Sequence, residues 1–221
     1  MSISLQRIDP ETRKLLGGAT CLDFANSVDW ASDGAERPPH TDVLNAPEHL
    51  AAWGRRLGTV APGTTLLVTG RELAAARMLR RAIHSLFAAI ATGTPPDADM
   101  LARLVRDHQE ATAAAHLAAP DGHWQLDWPA DDPRRVRFAA AASAIDLLRD
   151  QARLARVRMC PGNNCGWLFL DASGRRHWCS MEVCGSRAKM RRLYQRQRRS
   201  PTAPSTSPAA RRAQKQRPEA R

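Results

Sequence analysis

Residues 159–189 read MCPGNNCGWLFLDASGRRHWCSMEVCGSRAK, and this stretch decides how the chain is organised. Four of the five cysteines fall here as two C-x4-C pairs, Cys160 with Cys165 and Cys179 with Cys184, 13 residues apart. Zinc takes four thiolate or imidazole ligands in a tetrahedron, and each spacer is short enough to fold two sulfurs onto one ion. Gly162, Asn163 and Asn164 in the first spacer tolerate tight or left-handed turns. Gly166 and Gly185 follow the second and fourth cysteines, where they would let backbone amides swing toward the sulfurs. Four thiolates complete the shell, so the site expected is structural: one Zn2+ and no catalytic water. Two alternatives stand beside it, namely buried thiols or a disulfide pair, and His177 as ligand in place of a cysteine. A segment of about 40 residues has too little core to fold unaided, so loss of the metal is expected to unfold it.

Downstream of the cysteines, residues 186–199 hold no Pro or Gly and contain Arg187, Lys189, Arg191, Arg192, Arg196, Arg198 and Arg199, which predicts a basic helix. Residues 200–221, SPTAPSTSPAARRAQKQRPEAR, lack large apolar side chains and predict a disordered basic tail. The net charge of +11 is confined to this end. Residues 159–221 hold 14 Lys and Arg against 3 Asp and Glu, whereas residues 1–158 hold 19 of each. The two parts therefore face different partners.

Upstream, 43% hydrophobic and 25% charged residues are those of an ordinary globular protein, and no apolar run approaches the roughly 18 residues of a membrane span. The amino terminus lacks the pattern of a secretory signal, so a reducing cytoplasmic location is expected, which favours thiols and metal ligands over disulfides. Residues 20–29 (TCLDFANSVD) read as a strand entering a turn, with Cys21 alone in it. A polar loop covers about residues 31–45, and NAPE at 45–48 reads as a helix start whose helix carries Leu50, Trp53 and Leu57. TTLLVT at 64–69 is either a short strand or a helix lead-in. Amphipathic helices follow over residues 71–91 and 97–117, then an exposed strand at 122–128. One long Ala-rich helix runs from Asp131-Asp132-Pro133 to Arg156 and leads into the cysteines. The fold class expected is α+β: a mainly helical N-terminal domain at 1–156, a small C-terminal zinc-finger module at 157–199 and a tail at 200–221.

CGWLFLDAS at 165–173 and RHWCSMEVCGSRAK at 176–189 resemble the CGNR-type zinc finger. In that family the finger follows an ABATE domain, described as a stress-induced transcription regulator, and LDFANS at 22–27 with LAAW at 50–53 resembles it. The likeness covers about residues 15–199. Ser186 replaces the Asn of the name-giving motif, the segment from Cys165 to Cys179 is about two residues shorter than usual, and His177 occupies a place usually held by Arg. The resemblance implies zinc-dependent DNA binding and transcription regulation.

On that reading Arg175, Arg176, Arg187 and Lys189 lie nearest the metal and fix register on DNA, with Arg191, Arg192 and the residues beyond adding phosphate contacts. The alternative partners are RNA or an acidic protein, bound by a zinc-stabilised adaptor. Trp167, Phe169 and Trp178 are expected to form a small core around the metal, although they and Tyr194 could stack on bases. The N-terminal domain is expected to sense a small ligand or to form a homodimer. Asp23, Asn26, Arg80 and Arg81 are the candidate ligand residues, the alternative being that Asp23 and Asn26 cap a turn and an arginine pairs with Asp23. No nucleophile with a base, no phosphate-binding glycine loop and no paired ligand histidines occur, so catalysis is not expected.

Overall fold

A computed structural model describes residues 8–37 and 41–199. The expected tail at 200–221 lies outside them. Among the described residues the architecture is mainly helical with two small antiparallel sheets, as the α+β reading requires.

The central element is α3 (Gly70–Thr92). It starts where the Thr69 side chain accepts the Glu72 amide, so residues 64–69 are its lead-in and not a strand, and it ends at Gly93, whose φ of 71° is left-handed. Leu73, Ala76, Leu79, Ile83 and Phe87 turn one face into the core. Around α3 pack α1 (Thr20–Ala25), α2 (Pro47–Arg56), α4 (Ala98–Ala114) and α5 (Arg135–Arg149). Pro47 does begin α2, but the Asn45 side chain donates to the Asp42 carbonyl and not to the helix start.

Within residues 20–29 the expected strand is a helix over 20–25, followed by the expected turn. α1 spans six residues enclosed on all sides, so every residue from Cys21 to Val28 is buried and no helical alternation survives in the sequence. What selects the helix is Asp23, whose carboxylate folds back onto the Gly17 amide at 2.7 Å and fixes the turn before it.

Two other expectations shift. α4 ends at Ala114, and His116–Ala118 (β1) pairs antiparallel with Gln125–Asp127 (β2), so the predicted strand has a partner taken from the predicted helix. The long Ala-rich helix breaks at Asp150, whose side chain accepts the Arg153 amide and starts the one-turn α6 (Gln151–Leu154). The chain then enters β3 (Val157–Met159), which pairs with β4 (Leu168–Leu170).

The β3–β4 hairpin is not a separate appendage. Val157 and Leu168 belong to the same buried cluster as Leu22, Phe24, Leu79 and Ile83. The Asn26 amide, 2% exposed, donates to the Leu168 carbonyl at 2.8 Å and accepts the Leu168 N–H at 3.0 Å. Leu170 N–H donates to Gly17 and Gly166 N–H to Trp30. His84 of α3 donates to the Gly166 carbonyl at 2.8 Å while stacking on Trp30 at 3.7 Å. The hairpin thus contributes to the main core and shares a hydrogen-bond network with the helical domain.

Candidate metal centre and nucleic-acid interface

The hairpin carries Cys160 at the end of β3 and Cys165 before β4, and a turn brings back Cys179 and Cys184. Their ligand atoms all lie within 4.8 Å of one another. The Cys165–Cys179 and Cys179–Cys184 Sγ separations are 3.8 and 3.6 Å. A zinc–sulfur bond of about 2.3 Å makes a tetrahedron with an edge of about 3.8 Å, so the four sulfurs fit one Zn2+. The charges agree. Without a cation, thiol hydrogen bonds from Cys165 and Cys179 hold Cys160 below the usual thiol range. Those contacts with Cys160 push Cys165 and Cys179 up, and burial pushes Cys184 up. Crowding opposes the ionisation of all four thiols together, and a divalent ion would offset that repulsion.

Local backbone explains why the spacers work. A Cβ on Gly162 would stand 2.9 Å from the Cys184 sulfur, so only glycine lets the first spacer pass the metal site, and Asn164 takes the left-handed φ of 52°. The glycines after the cysteines act differently from expectation. Gly166 N–H goes to Trp30 and Gly185 N–H to Ser180, neither to sulfur, while a sulfur contact comes from Cys179 N–H to Cys160 at 3.4 Å. Gly166 is required for close approach, since a Cβ there would lie 2.6 Å from the Ala31 carbonyl oxygen.

His177 is exposed and meets Trp178 edge to face at 4.7 Å, apart from the sulfurs. Phe169 is buried against the cysteines, with Trp167 and Trp178 packed around it, so these three aromatics build the finger's own core. Cys21 stands apart, fully buried, with its thiol pushed up to about 12 by desolvation.

From Cys184 a wide turn at Met181–Gly185 leads into α7 (Ser186–Arg199). Ser186, the replacement for the motif's Asn, donates its hydroxyl to the Met181 carbonyl across this turn. Every side chain from Lys189 to Arg198 is exposed, so Arg187, Lys189, Arg191 and Arg192 face solvent together with Arg175. Arg176 does not join them. Its guanidinium donates to the carbonyls of Leu16 and Cys179, both at 2.7 Å, and lies 4.4 Å over the Phe169 ring. It ties the cysteine turn to the N-terminal segment.

The candidate ligand residues of the helical domain are likewise dispersed. Asp23 holds the Gly17 turn, with its carboxyl pushed up by burial, and Asn26 holds Leu168. Fully buried Arg80 is paired in bidentate fashion with Asp42 at 2.6 and 2.9 Å, and not with Asp23. Arg81 is exposed and approaches Glu36 at 3.5 Å. The sequence missed Asp42, Arg13 and His84 as organising residues, because their partners lie 13 to 82 residues away. A second buried network, Arg137 with Glu72 and Asp107, joins α3, α4 and α5.

Fold and site together define a zinc-finger protein with an all-in-one helical body. Residues 18–151 match the family ABATE, described as "Putative stress-induced transcription regulator", and residues 156–197 match the CGNR zinc finger. The chain belongs to the ABATE family and carries a CGNR zinc finger whose four clustered cysteines could bind one zinc ion. Comparison with curated proteins finds no match. No helix among the described residues is long and apolar enough to cross a membrane.

Proposed function

We propose that the chain is a cytoplasmic DNA-binding transcription regulator that acts by binding and not by catalysis, with zinc fixing the helix that meets DNA. The observation that carries this reading is α7 itself. It leaves a zinc ligand and exposes Arg187, Lys189, Arg191, Arg192, Arg196 and Arg198 along its length. A rigid anchor lowers the entropy lost when those cations meet phosphates, and the helix N-terminus adds its positive dipole.

If all six cations displaced counterions, the slope of log K against log salt would approach about −5, from about 0.9 per phosphate. The test is duplex binding by fluorescence anisotropy across a salt series, on zinc-loaded protein and on Arg191→Gln/Arg192→Gln. The pair should reduce the slope by about 2. A slope near zero, or one unchanged in the variant, refutes the reading.

One feature favours a second reading, a zinc-stabilised adaptor for an acidic protein or RNA. Met190, Leu193 and Tyr194, at spacings of three and four residues, form an exposed apolar stripe among the arginines. Competition among duplex DNA, RNA and a simple polyanion at physiological salt separates the two.

A further inference from the structure

A cavity of about 450 Å³ opens in the helical body where the first turns of α3 and α5 meet α4, within the range of small-molecule sites. All its lining residues fall between Thr69 and Arg137, so it contains no zinc ligand and no part of the finger. Its floor is an ion-pair network. Arg137, 4% exposed, donates to Glu72 at 2.7 and 3.2 Å, to Asp107, and to Glu110 at 3.0 Å, while Arg103 donates to Asp107 at 2.5 Å. At the rim Arg134 is held by Asp132 at 2.8 Å. Three guanidiniums stand there against four carboxylates, so this network by itself draws no anion.

Arg71 and Arg106 reverse the sign. Both line the cavity, both are exposed, and neither pairs with a carboxylate among the described residues. Five guanidiniums then face four carboxylates, and the N-termini of α3 and α5 each add roughly half a positive charge. The start of α5 is unusual as well. It carries Arg134 at its cap and Arg137 in its first turn, with no acidic residue there and no side-chain cap. Cations at a helix N-terminus oppose the dipole, a departure from local rules of the kind found at functional sites.

We propose that this cavity binds the phosphate monoester of a small hydroxylated compound, such as a sugar phosphate, with the phosphate between Arg71 and Arg106. A monoester carries roughly two negative charges and three acceptor oxygens, which suits two unpaired guanidiniums beside a helix N-terminus. The body follows from the rest of the lining. Ala75 and Pro133 are its apolar residues, so an aromatic or aliphatic body finds little to pack on, whereas Thr69 and Glu110 offer partners for hydroxyls. Glu110 gives Arg137 one oxygen and keeps its side chain 58% exposed. Asp23, Asn26, Arg80 and Arg81, the candidates read from sequence, do not line this cavity, and binding here does not depend on α7.

The test uses zinc-loaded full-length protein in phosphate-free buffer, with ribose 5-phosphate as probe and ribose as its neutral control. At ten times its Kd, ribose 5-phosphate should raise the thermal midpoint by about 3–6 °C and saturate, with ribose inert. Arg71→Gln/Arg106→Gln should keep its own midpoint and lose the shift, while Arg191→Gln/Arg192→Gln on the basic helix should retain it. No saturable shift, an equal shift with ribose, a full shift in the Arg71/Arg106 variant, or its loss in the α7 variant overturns the site. Inorganic phosphate should bind about tenfold more weakly, for want of the hydroxyl contacts, and equal affinity overturns the assignment to an ester. Duplex affinity should be the same in the Arg71/Arg106 variant and its parent. A loss there would assign these arginines to the nucleic-acid backbone and overturn the small-molecule reading, whereas parent protein that binds no duplex refutes the DNA reading and leaves the thermal result standing.

Discussion

Asn26 offers the sharpest check on how finger and body are joined. Its side-chain amide makes two hydrogen bonds to one residue, to the Leu168 carbonyl at 2.8 Å and from the Leu168 N–H at 3.0 Å, with Asn26 at 2% and Leu168 at 0% exposure. Asn26→Ala removes both partners and leaves two buried backbone groups unpaired. Each such group costs about 1–3 kcal/mol, so the variant should lose about 3–4 kcal/mol, a large part of the roughly 5–15 kcal/mol that a domain holds. Asn26→Asp keeps the acceptor for the N–H but sets a carboxylate against the carbonyl, and should be no better. Urea unfolding of zinc-saturated protein, followed by tryptophan fluorescence, gives the free energy, and hydrogen exchange at the Leu168 amide gives its location. A loss under about 1 kcal/mol with Leu168 still protected would refute the argument that this amide joins the two regions.

Burial holds His84 neutral and lowers it to about 4, against an ordinary value of about 6.5. The folded state then binds fewer protons than the unfolded one, so this stability is fully present above about pH 6.5 and is lost as pH falls toward 4, by about 3 kcal/mol in all. His84→Gln should show a correspondingly shallower loss of urea midpoint between pH 7 and 4.5 than the parent protein, and equal slopes would refute it. Arg176→Ala should cost about 2–4 kcal/mol of stability, since its guanidinium serves the carbonyls of Leu16 and Cys179, whereas exposed Arg175→Ala should stay within about 0.5 kcal/mol and alter only salt-dependent duplex affinity. Thermal denaturation of the two variants side by side distinguishes the roles, and similar losses would contradict them.

The metal site was legible because its signal is residue type at fixed spacing, which needs no knowledge of the fold. The same holds for α3 and α7, long enough to display their pattern. Short elements were not legible. α1 is buried all round, and β3 and β4 are three residues each, too brief to alternate. The break at Asp150 is a side-chain cap inside a run that is otherwise helical. Arg176 shows a different limit. Beside the metal and next to Arg175 in sequence, it looks like a second phosphate contact, and only the position of the Leu16 carbonyl, 160 residues away, turns it inward.

That division of labour within the finger predicts what chelation does. Residues 157–170 are held from outside the metal: Val157 and Leu168 lie in the main core, Asn26 binds Leu168, and His84 and Trp30 bind Gly166. Residues 177–199 depend on Cys179, Cys184 and the turn between them, because α7 exposes every side chain from Lys189 to Arg198. Removing zinc should therefore not unfold the whole finger, as a free module of about 40 residues would. It should free α7 and the cysteine turn and leave the hairpin docked. Hydrogen exchange on zinc-loaded and chelated protein reads this directly: amides of 181–199 lose protection, while those of Leu168 and Leu170 keep it. Loss of protection at Leu168 as well would mean that the ion, and not the body, supplies most of the free energy that holds the hairpin.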